Sequence, residues 1–523
     1  MDFENEATYL RAAKEGKVEE FQRSFDKALE MVEEEFGQIH PIYIAGEELY
    51  CKETFEDRSP SNTERLLGTF QRARREDASR AVKAAELAFR EWSRTDWQER
   101  VRIFRRAADI LADQKYTHSA IMCHENGKNR LEAMADVDEA IDFIHWYCSE
   151  VERNEGFDQD MESSVPGERT RSILRPYGVW VVVSPFNFPL AITCGMTTGA
   201  VLTGNTAVLK PASDTPYMGL RLYETLEKAG LPDGVLNLVT GRGSTVGAEL
   251  VESPRVSGLA FTGSRQVGVA SFKAFNRDFP KPVITELGGK NPVIVTDGAD
   301  LEKAVSGVGL GAFGFGGQKC SAASRVYLHE DIRDDFLERL VSWTRELRIG
   351  DPTERDTYLG PLINARSYEN YQKYAALAAK DGRVLTGGQV LRDGPLGKGY
   401  FVEPTIVDGL SQDHPLFREE LFVPLLCIYS IGSLEEGIQL ANDSEYGLCA
   451  GLFTEDPEER ETFFRDIHAG VAYCNREQGA TTGAIVGAQP FSGWKHSGIS
   501  GKGAGARYYL QQFLREQSLT YYT

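Results

Sequence analysis

The chain has 523 residues, a formal net charge of −20 and a hydrophobic content of 41%. This length exceeds one ordinary hydrophobic core and predicts two large domains. The acidic balance argues against nucleic acid and against an anionic membrane surface as partners, because like charges repel. The eight cysteines are scattered without metal-binding spacing, so we expect free thiols, no metal site and a cytoplasmic location.

Neither the first residues of the sequence nor its longest apolar stretch suggests export or membrane insertion. The first sixteen residues are acidic and amphipathic, and we expect no secretion signal there. The longest apolar stretch, 178–202, contains Pro185, Asn187 and Pro189 in its interior. Such residues leave polar backbone groups unsatisfied in lipid. We therefore expect a buried strand followed by a functional loop, and no membrane partner.

Helical periodicity dominates the first part of the chain, and strands enter later. Apolar residues recur at helical spacing over residues 5–38, 77–92, 98–114 and 117–148. A polar stretch at 154–171 follows. Beyond it, short β-branched runs alternate with helical segments, and a second such alternation begins near residue 290. This pattern predicts an α/β protein with two parallel sheets, each covered by helices on both faces.

Cys320 lies in FGFGGQKCSAASR, directly after a region that is unusually rich in glycine. Consecutive glycines weaken a helix and indicate a close approach of the backbone to something else. Taken alone, this pattern fits equally well a tightly packed helix that ends in an inert cysteine.

Two other residues give the thiol possible chemical partners. Glu286 ends an apolar run and is followed by two glycines, a context in which a carboxylate either meets solvent or acts as a base on water. Asn187 stands between two prolines that restrict its backbone. It is either a turn former or a rigid amide donor for an oxyanion.

Weaker signals point to a nucleotide. Ser264 in FTGS precedes a helical segment, where it serves as a helix cap or contacts a pyrophosphate. Lys210 ends a predicted strand and is either solvated or bound to ribose hydroxyls. FTGS is not the glycine fingerprint of dinucleotide-binding proteins, so it does not identify a dinucleotide site by itself.

In combination these segments are specific. SPFNFP, LKPAS, FTGS, ELGGKNP, GQKC and EELFVP occur in this order, and the chain resembles the aldehyde dehydrogenase superfamily from about residue 60 to about residue 498. The resemblance implies a Rossmann-type NAD-binding domain, an α/β catalytic domain and a small β oligomerisation element. The expected boundaries are 1–150 with 173–288, then 289–480, and finally 151–172 with 500–523.

The resemblance also implies roles for individual residues. Cys320 would attack the aldehyde, Asn187 and the Cys320 N–H would hold the oxyanion, and Glu286 would activate water to hydrolyse a thioester. NAD is the expected cofactor. NADP remains an alternative, because Ser213 stands where NAD-specific members often carry an acid. The expected cofactor contacts are Ser184, Pro185, Phe186, Lys210, Ser213, Gly243, Gly263, Ser264, Glu420 and Phe422. Val423 replaces the glycine that the family usually has at that position.

A second set of segments resembles the 1-pyrroline-5-carboxylate dehydrogenase subgroup. These are QKCSAASR, DVDEAIDF and TTGAIVGAQPFSGWKHSG. The implied reaction is oxidation of L-glutamate γ-semialdehyde to L-glutamate, the second step of proline degradation. The expected substrate contacts are Ser321, Gly483, Ala484, Phe188, Phe491, Glu139 and Lys319.

Ser492 and Trp494 depart from the subgroup pattern, so another aldehyde such as succinate semialdehyde stays open. A catalytically silent homologue would have lost Cys320, Glu286 or Asn187, and an acylating enzyme that passes its thioester to coenzyme A would not need Glu286. In the family, a hairpin and the C-terminal tail pair between subunits. The resemblance therefore implies a homodimer or an assembly of dimers, with a small-molecule aldehyde as the other partner.

Overall fold

The computed structural model describes residues 7–478 and 485–523. Up to the end of the first large sheet, the elements in chain order are α1 (Ala7–Lys14), α2 (Val18–Glu33), β1 (Gln38–His40), β2 (Ile42–Ile44), β3 (Glu47–Leu49), β4 (Thr54–Arg58), β5 (Leu66–Gln71), α3 (Arg75–Trp92), α4 (Trp97–Asp113), α5 (Lys115–Asn126), α6 (Arg130–Arg153), β6 (Asp158–Met161), β7 (Glu168–Pro176), β8 (Val179–Val183), α7 (Ala191–Leu202), β9 (Thr206–Lys210), α8 (Pro216–Lys228), β10 (Leu236–Leu238), α9 (Ala248–Glu252), β11 (Gly258–Thr262), α10 (Arg265–Phe275) and β12 (Val283–Glu286).

The second half continues with β13 (Asn291–Val295), α11 (Leu301–Phe313), β14 (Ala323–His329), α12 (Arg333–Arg345), α13 (Ala365–Asp381), β15 (Arg383–Thr386), β16 (Thr405–Asp408), α14 (Pro415–Arg418), β17 (Leu425–Ile431), α15 (Leu434–Asn442), β18 (Tyr446–Gly447), β19 (Cys449–Phe453), α16 (Pro457–Asp466), β20 (Val471–Cys474), β21 (Trp494–Lys495) and β22 (Leu514–Tyr522).

The first large sheet is built as the β-branched runs predict. Its strand order within the described residues is β12-β11-β8-β9-β10-β2-β3, and β12 to β10 run parallel. Successive residues of β8 enter opposite cores: Trp180 and Val182 pack on one face, while Val179 and Val181 pack on the other. A strand that is buried on both faces must be apolar throughout, which explains the sequence VWVVV.

The second large sheet repeats this design around different strands. Its order in the described part of the chain is β15-β16-β17-β14-β13-β19-β20, and all neighbours except β15 and β16 are parallel. In β13, Val293 and Val295 pack on one face and Ile294 packs on the other. The prediction of two α/β sheets is therefore confirmed. The domain boundaries that we drew from the sequence stay predictions.

A smaller antiparallel sheet joins the C-terminal tail to the polar stretch after α6. It has the order β22-β7-β6, and β22 pairs with β7 along its length, from Leu514 opposite Pro176 to Tyr522 opposite Glu168. The strand character expected of the tail is confirmed. Among the described residues, no helix is long and apolar enough to cross a membrane.

One helix prediction was wrong in its extent. The periodicity over 117–148 indicated a single helix, but the structure has two, α5 and α6. Gly127 between them adopts a φ of +79°, a left-handed conformation that ends α5. Asn129 then caps α6, because its side-chain oxygen accepts hydrogen bonds from Leu131 N and Glu132 N. The apolar periodicity continues across this break and therefore concealed it.

Candidate active site

The site forms where the two large sheets are joined. Glu286 is the last residue of β12, and it lies beside Thr262, the last residue of β11. Only residues 287–290 connect Glu286 to Asn291, the first residue of β13 in the other sheet. Side chains at the carboxyl ends of the first sheet are therefore held close to the start of the second. Clefts at the carboxyl ends of parallel strands are the usual place for ligand binding in α/β proteins.

The connection between the sheets, residues 287–290, contains two glycines that other groups crowd. A Cβ atom on Gly288 would collide with the Glu420 carboxylate, and a Cβ on Gly289 would collide with the carbonyl oxygen of Cys320. The Gly289 N–H donates to Glu420 Oε1 at 3.0 Å. Glycine is favoured at both positions because the Glu420 carboxylate and the loop that carries Cys320 approach the bare backbone.

The loop that carries Cys320, residues 314–322, follows α11. Phe315, Gly316 and Gly317 all have φ between +49° and +65°, so the chain turns sharply away from the helix axis. The Gln318 side chain is fully buried and accepts a hydrogen bond from Ile363 N at 2.8 Å. Glu132 of α6 accepts from Phe315 N at 3.1 Å and from Lys319 Nζ at 2.8 Å. The loop is thus fixed from both halves of the molecule.

A cavity of about 600 Å³ opens onto Cys320 and Glu286 together. Four of the other residues predicted to bind substrate also line it: Glu139, Phe188, Ser321 and Phe491. The structure therefore brings these six together. Its remaining lining residues, which the sequence did not reveal, are Phe143, Ile192, Gly195, Met196, Thr262, Ala504 and Tyr509.

Of the three remaining predicted substrate contacts, the structure describes one. Gly483 and Ala484 lie outside the described residues. Lys319 is paired with Glu132 and is not among the residues that line the cavity. Asn187, the predicted oxyanion donor, is buried between β8 and α7, next to the cavity residue Phe188.

A wider cleft of about 1270 Å³ lies near the same connection. Ser264 and Glu420 line it together. Ser264 precedes α10 without making a side-chain capping bond, which leaves its hydroxyl available to a ligand. Gly263 N donates to Glu286 O at 3.2 Å. Ser264 and Glu420, two of the predicted cofactor residues, thus face one cleft. Gly263 directly precedes Ser264 at the N-terminus of α10.

The other predicted cofactor residues lie on nearby strand ends and loops. Lys210 ends β9, and its Nζ donates to Pro211 O at 2.9 Å; its carbonyl accepts from Ser184 N at 3.2 Å. Ser213 donates to Gly241 O at 3.4 Å. Burial lowers the pKa of Lys210 to about 8. Gly243 begins a π-helical turn, and Phe186, which follows Pro185, packs edge-on against Phe422 with ring centres 5.7 Å apart.

The pKa values of Cys320, Glu286 and Glu420 are all shifted toward the uncharged forms of these groups. Burial raises the pKa of the Cys320 thiol, and Glu420 and then Glu286 raise it further, whereas the Ser321 and Cys320 N–H groups lower it. Burial also raises the pKa of Glu286 well above its usual range, although Gly493 N donates to it at 3.1 Å. For Glu420, burial raises the pKa to about 7 against the opposing effects of the Gly289 N–H and Lys290.

Residues 48–519 match the family model described as "Aldehyde dehydrogenase family". The chain belongs to that family. The family and the fold class that the six segments indicated are therefore confirmed.

Individual relatives of this aldehyde dehydrogenase carry a narrower name. A 1-pyrroline-5-carboxylate dehydrogenase 1 of Halalkalibacterium halodurans is 39% identical over 94% of this chain and 95% of its own length. A 1-pyrroline-5-carboxylate dehydrogenase of Geobacillus sp. has the same identity and coverage. The crystal structure of 1-pyrroline-5-carboxylate dehydrogenase from Thermus with bound NAD superposes with a TM-score of 0.92, at 37% identity and 97% coverage of both chains.

The raised pKa of Cys320 predicts slow modification of this thiol at neutral pH. Only the thiolate reacts with iodoacetamide, so the rate at Cys320 should rise about tenfold for each pH unit between pH 7 and 9. Quantitative mass spectrometry of the Cys320 peptide would measure it, with the partly exposed Cys474 of the same chain as an internal reference. A rate at Cys320 that stays constant over this range would contradict the raised pKa.

Proposed function

We propose that this aldehyde dehydrogenase oxidises L-glutamate γ-semialdehyde to L-glutamate, the second step of proline degradation, with NAD as hydride acceptor. One observation carries the proposal: a single cavity contains a thiol, a carboxylate of raised pKa and a buried hydroxyl that has no hydrogen-bond partner within residues 7–478 and 485–523. The first two suit oxidation through a thioester and its hydrolysis. The third suits a substrate that carries its own carboxylate.

In the first step, Cys320 loses its proton and its sulfur adds to the aldehyde carbon. Glu286 lies on the same cavity, and a carboxylate whose pKa is raised is a better proton acceptor. The negative charge then moves to the aldehyde oxygen. We assign the Asn187 amide and the Cys320 N–H as its hydrogen-bond donors, a contribution typically worth about 10²–10³ in rate per donor.

The residues of the wider cleft fit NAD. The Glu420 carboxylate, which is held on Gly289, suits the two hydroxyls of the nicotinamide ribose, and Lys210 suits those of the adenosine ribose. Ser264 and Gly263 at the start of α10 suit the pyrophosphate. We assign Ser184, Pro185, Phe186, Ser213, Gly243 and Phe422 to the rest of the dinucleotide site. When bound, NAD accepts the hydride, which leaves the substrate on Cys320 as a thioester.

Hydrolysis completes the reaction and returns the thiol. After releasing the first proton to solvent, Glu286 takes a proton from a water molecule as the water oxygen adds to the thioester carbon. The C–S bond then breaks, and the sulfur of Cys320 leaves with the electron pair and is reprotonated. An enzyme that handed its acyl group to coenzyme A would have no use for a base at this position. Glu286 therefore favours the hydrolytic reaction over the acylating one.

The cavity wall supports an amino-acid aldehyde as substrate. The Ser321 hydroxyl is 1% exposed and has no hydrogen-bond partner among the described residues, so it is available to the α-carboxylate of the substrate. Glu139 suits the α-ammonium group, and Phe188 and Phe491 suit the aliphatic chain between them. We assign to Lys319 an electrostatic attraction for the substrate carboxylate. Gly483 and Ala484 remain proposed contacts to the same carboxylate.

A panel of aldehydes tests the substrate. We expect kcat/KM for L-glutamate γ-semialdehyde to exceed that for succinate semialdehyde and for butanal by at least about tenfold, because only the first substrate satisfies both Ser321 and Glu139. NADH absorbance measures the rates, with NADP and coenzyme A in parallel reactions. Cys320→Ala is the control and should show no turnover. Preference for succinate semialdehyde, or a strict requirement for coenzyme A, would overturn the assignment.

The role of Glu286 is tested by Glu286→Gln. The thioester should still form but should not be hydrolysed, so that rapid mixing shows a burst of about one NADH per site and then turnover slowed by about 10²–10⁴. Glu139→Gln is a matched control on the same cavity wall, and it should raise KM without producing a burst. Unchanged steady-state turnover in Glu286→Gln would show that another group activates the water.

We also propose that the chain is cytoplasmic and forms a homodimer or an assembly of dimers. The eight cysteines are free thiols, as a reducing compartment requires. The sheet of β22, β7 and β6 leaves Tyr521 and Tyr522 exposed at 51% and 68%. Large aromatic side chains at the end of an open sheet are typical of surfaces that pair with another chain.

Light scattering tests this assembly. The protein should have a mass of at least two chains, and Tyr521→Asp with Tyr522→Asp should shift it toward the monomer, because charges in an apolar interface are costly to desolvate. Tyr508→Asp is the matched control, since Tyr508 is 62% exposed and lies outside this sheet. A stable monomer for the unaltered protein would refute the proposal.

A further inference from the structure

Asn291 is the best-connected side chain next to the nucleophile, although no reaction step involves it. It is the first residue of β13 and is 2% exposed. Its Nδ2 donates to Cys320 O at 2.7 Å and to Ala322 O at 2.9 Å. Its Oδ1 accepts from Cys449 N at 3.0 Å. A single amide therefore joins the nucleophile loop to two neighbouring strands of the second sheet.

The orientation of this amide is determined by its surroundings. If it were flipped, Oδ1 would face the carbonyl oxygens of Cys320 and Ala322, and Nδ2 would face the N–H of Cys449. All three contacts would then be repulsive. The approach is also close, because a Cβ on Gly289 would lie 2.8 Å from Asn291 Oδ1 and 3.0 Å from Nδ2. Asn291 is thus confined between the glycine connection and the loop.

The carbonyl that Asn291 holds belongs to a peptide with a second function. The Cys320 C=O and the Ser321 N–H are opposite ends of one planar peptide group. A hydrogen bond from the Ser321 N–H lowers the pKa of the Cys320 thiol, and so favours the negative charge on its sulfur. Fixing the oxygen end therefore fixes the direction of the N–H end. A hydrogen bond to the oxygen also polarises the group and strengthens its N–H as a donor.

The strand that follows the loop shows why an anchor is needed there. β13 and β14 pair with a register shift, so that Asn291 lies opposite Ala323 while Pro292 lies opposite Arg325. Pro292 has no N–H to contribute to the ladder. The ladder is irregular at the point where the nucleophile loop enters β14, and side-chain hydrogen bonds from Asn291 stabilise the loop there.

We propose that Asn291 is a positioning residue for the nucleophile: it holds the Cys320–Ser321 peptide so that the Ser321 N–H donates to the Cys320 thiolate. The proposal rests on the role of Cys320 given above. Burial and the nearby carboxylates of Glu420 and Glu286 oppose formation of the Cys320 thiolate. A hydrogen-bond donor aimed at the sulfur therefore stabilises the thiolate more than it would at an exposed thiol.

The test is the pH profile of iodoacetamide modification at Cys320, measured on the full chain by mass spectrometry. Asn291→Ser should move the profile toward higher pH by about one unit, which lowers the rate at a fixed pH about tenfold. Asn291→Asp, which is equal in size but lacks the N–H donors, should move it further. In both variants kcat should fall while KM for the aldehyde changes less than about twofold, since the substrate contacts are unaltered.

Asn237→Ser is the matched control. Asn237 is also buried, and its side chain makes two hydrogen bonds to the backbone, with Ala45 N and Gly234 O, where that of Asn291 makes three; it lies in the first sheet. The proposal fails if folded Asn291→Ser and Asn291→Asp keep the unaltered profile, or if Asn237→Ser moves it equally. Modification by iodoacetamide does not require catalytic turnover, so failure of this proposal would leave the proposed function unaffected. The proposed function would instead be refuted if Cys320→Ala retained its activity.

Discussion

The short connection between β12 and β13 is the constraint on which the rest of the site depends. Glu286 ends one sheet and Asn291 begins the next, and four residues separate them. Within that span the backbone contacts the Glu420 carboxylate at Gly289 N and leaves room for the carbonyl of Cys320. The positions of Glu286, Glu420 and Cys320, which we propose as base, cofactor ligand and nucleophile, are therefore not independent. The two sheets cannot move apart without disturbing all three.

A buried ion pair fixes the opposite wall of the cavity. Lys128 Nζ lies 2.6 Å from Asp136, and both side chains are fully buried. Asp136 also accepts from Ala191 N at 2.6 Å, at the start of α7, and Lys128 lies 3.7 Å from the centre of the Phe188 ring. The loop that carries Asn187 is thus held at its far end. Such a pair adds little net stability but imposes one arrangement, because losing either partner leaves an uncompensated buried charge.

Sequence patterns predicted the fold, and they pointed to several residues that the structure brings together on one cavity, for physical reasons. Strands buried on both faces have to be apolar, so β8 and β13 were visible as β-branched runs, and the order of the short segments indicated the family. Cys320, Glu286 and Ser321 were found because they lie within those segments. The break between α5 and α6 was missed, because Gly127 interrupts the backbone without interrupting the apolar periodicity.

Residues that act through tertiary contacts could not be found in the same way. In the sequence, nothing distinguished Asn291 from the other residues of ELGGKNP, because its hydrogen bonds to Cys320 and Cys449 depend on how three strands are arranged. Lys319 stands beside the nucleophile in sequence, yet its ammonium pairs with Glu132 of a distant helix. Tyr509 lines the cavity although it lies within 500–523, the segment that we expected to serve oligomerisation. One-dimensional spacing carries no information about such contacts.

The segment from Ala504 to Tyr522 has a practical consequence for handling the protein. Ala504 and Tyr509 form part of the cavity wall, and the chain runs from them directly into β22, which pairs with β7 out to Tyr522. The C-terminal strand β22 therefore follows closely on residues that line the cavity. A purification tag is better fused to the N-terminal end, because removing or disturbing β22 would take an edge strand from the smaller sheet and leave the segment that carries Ala504 and Tyr509 without its anchor.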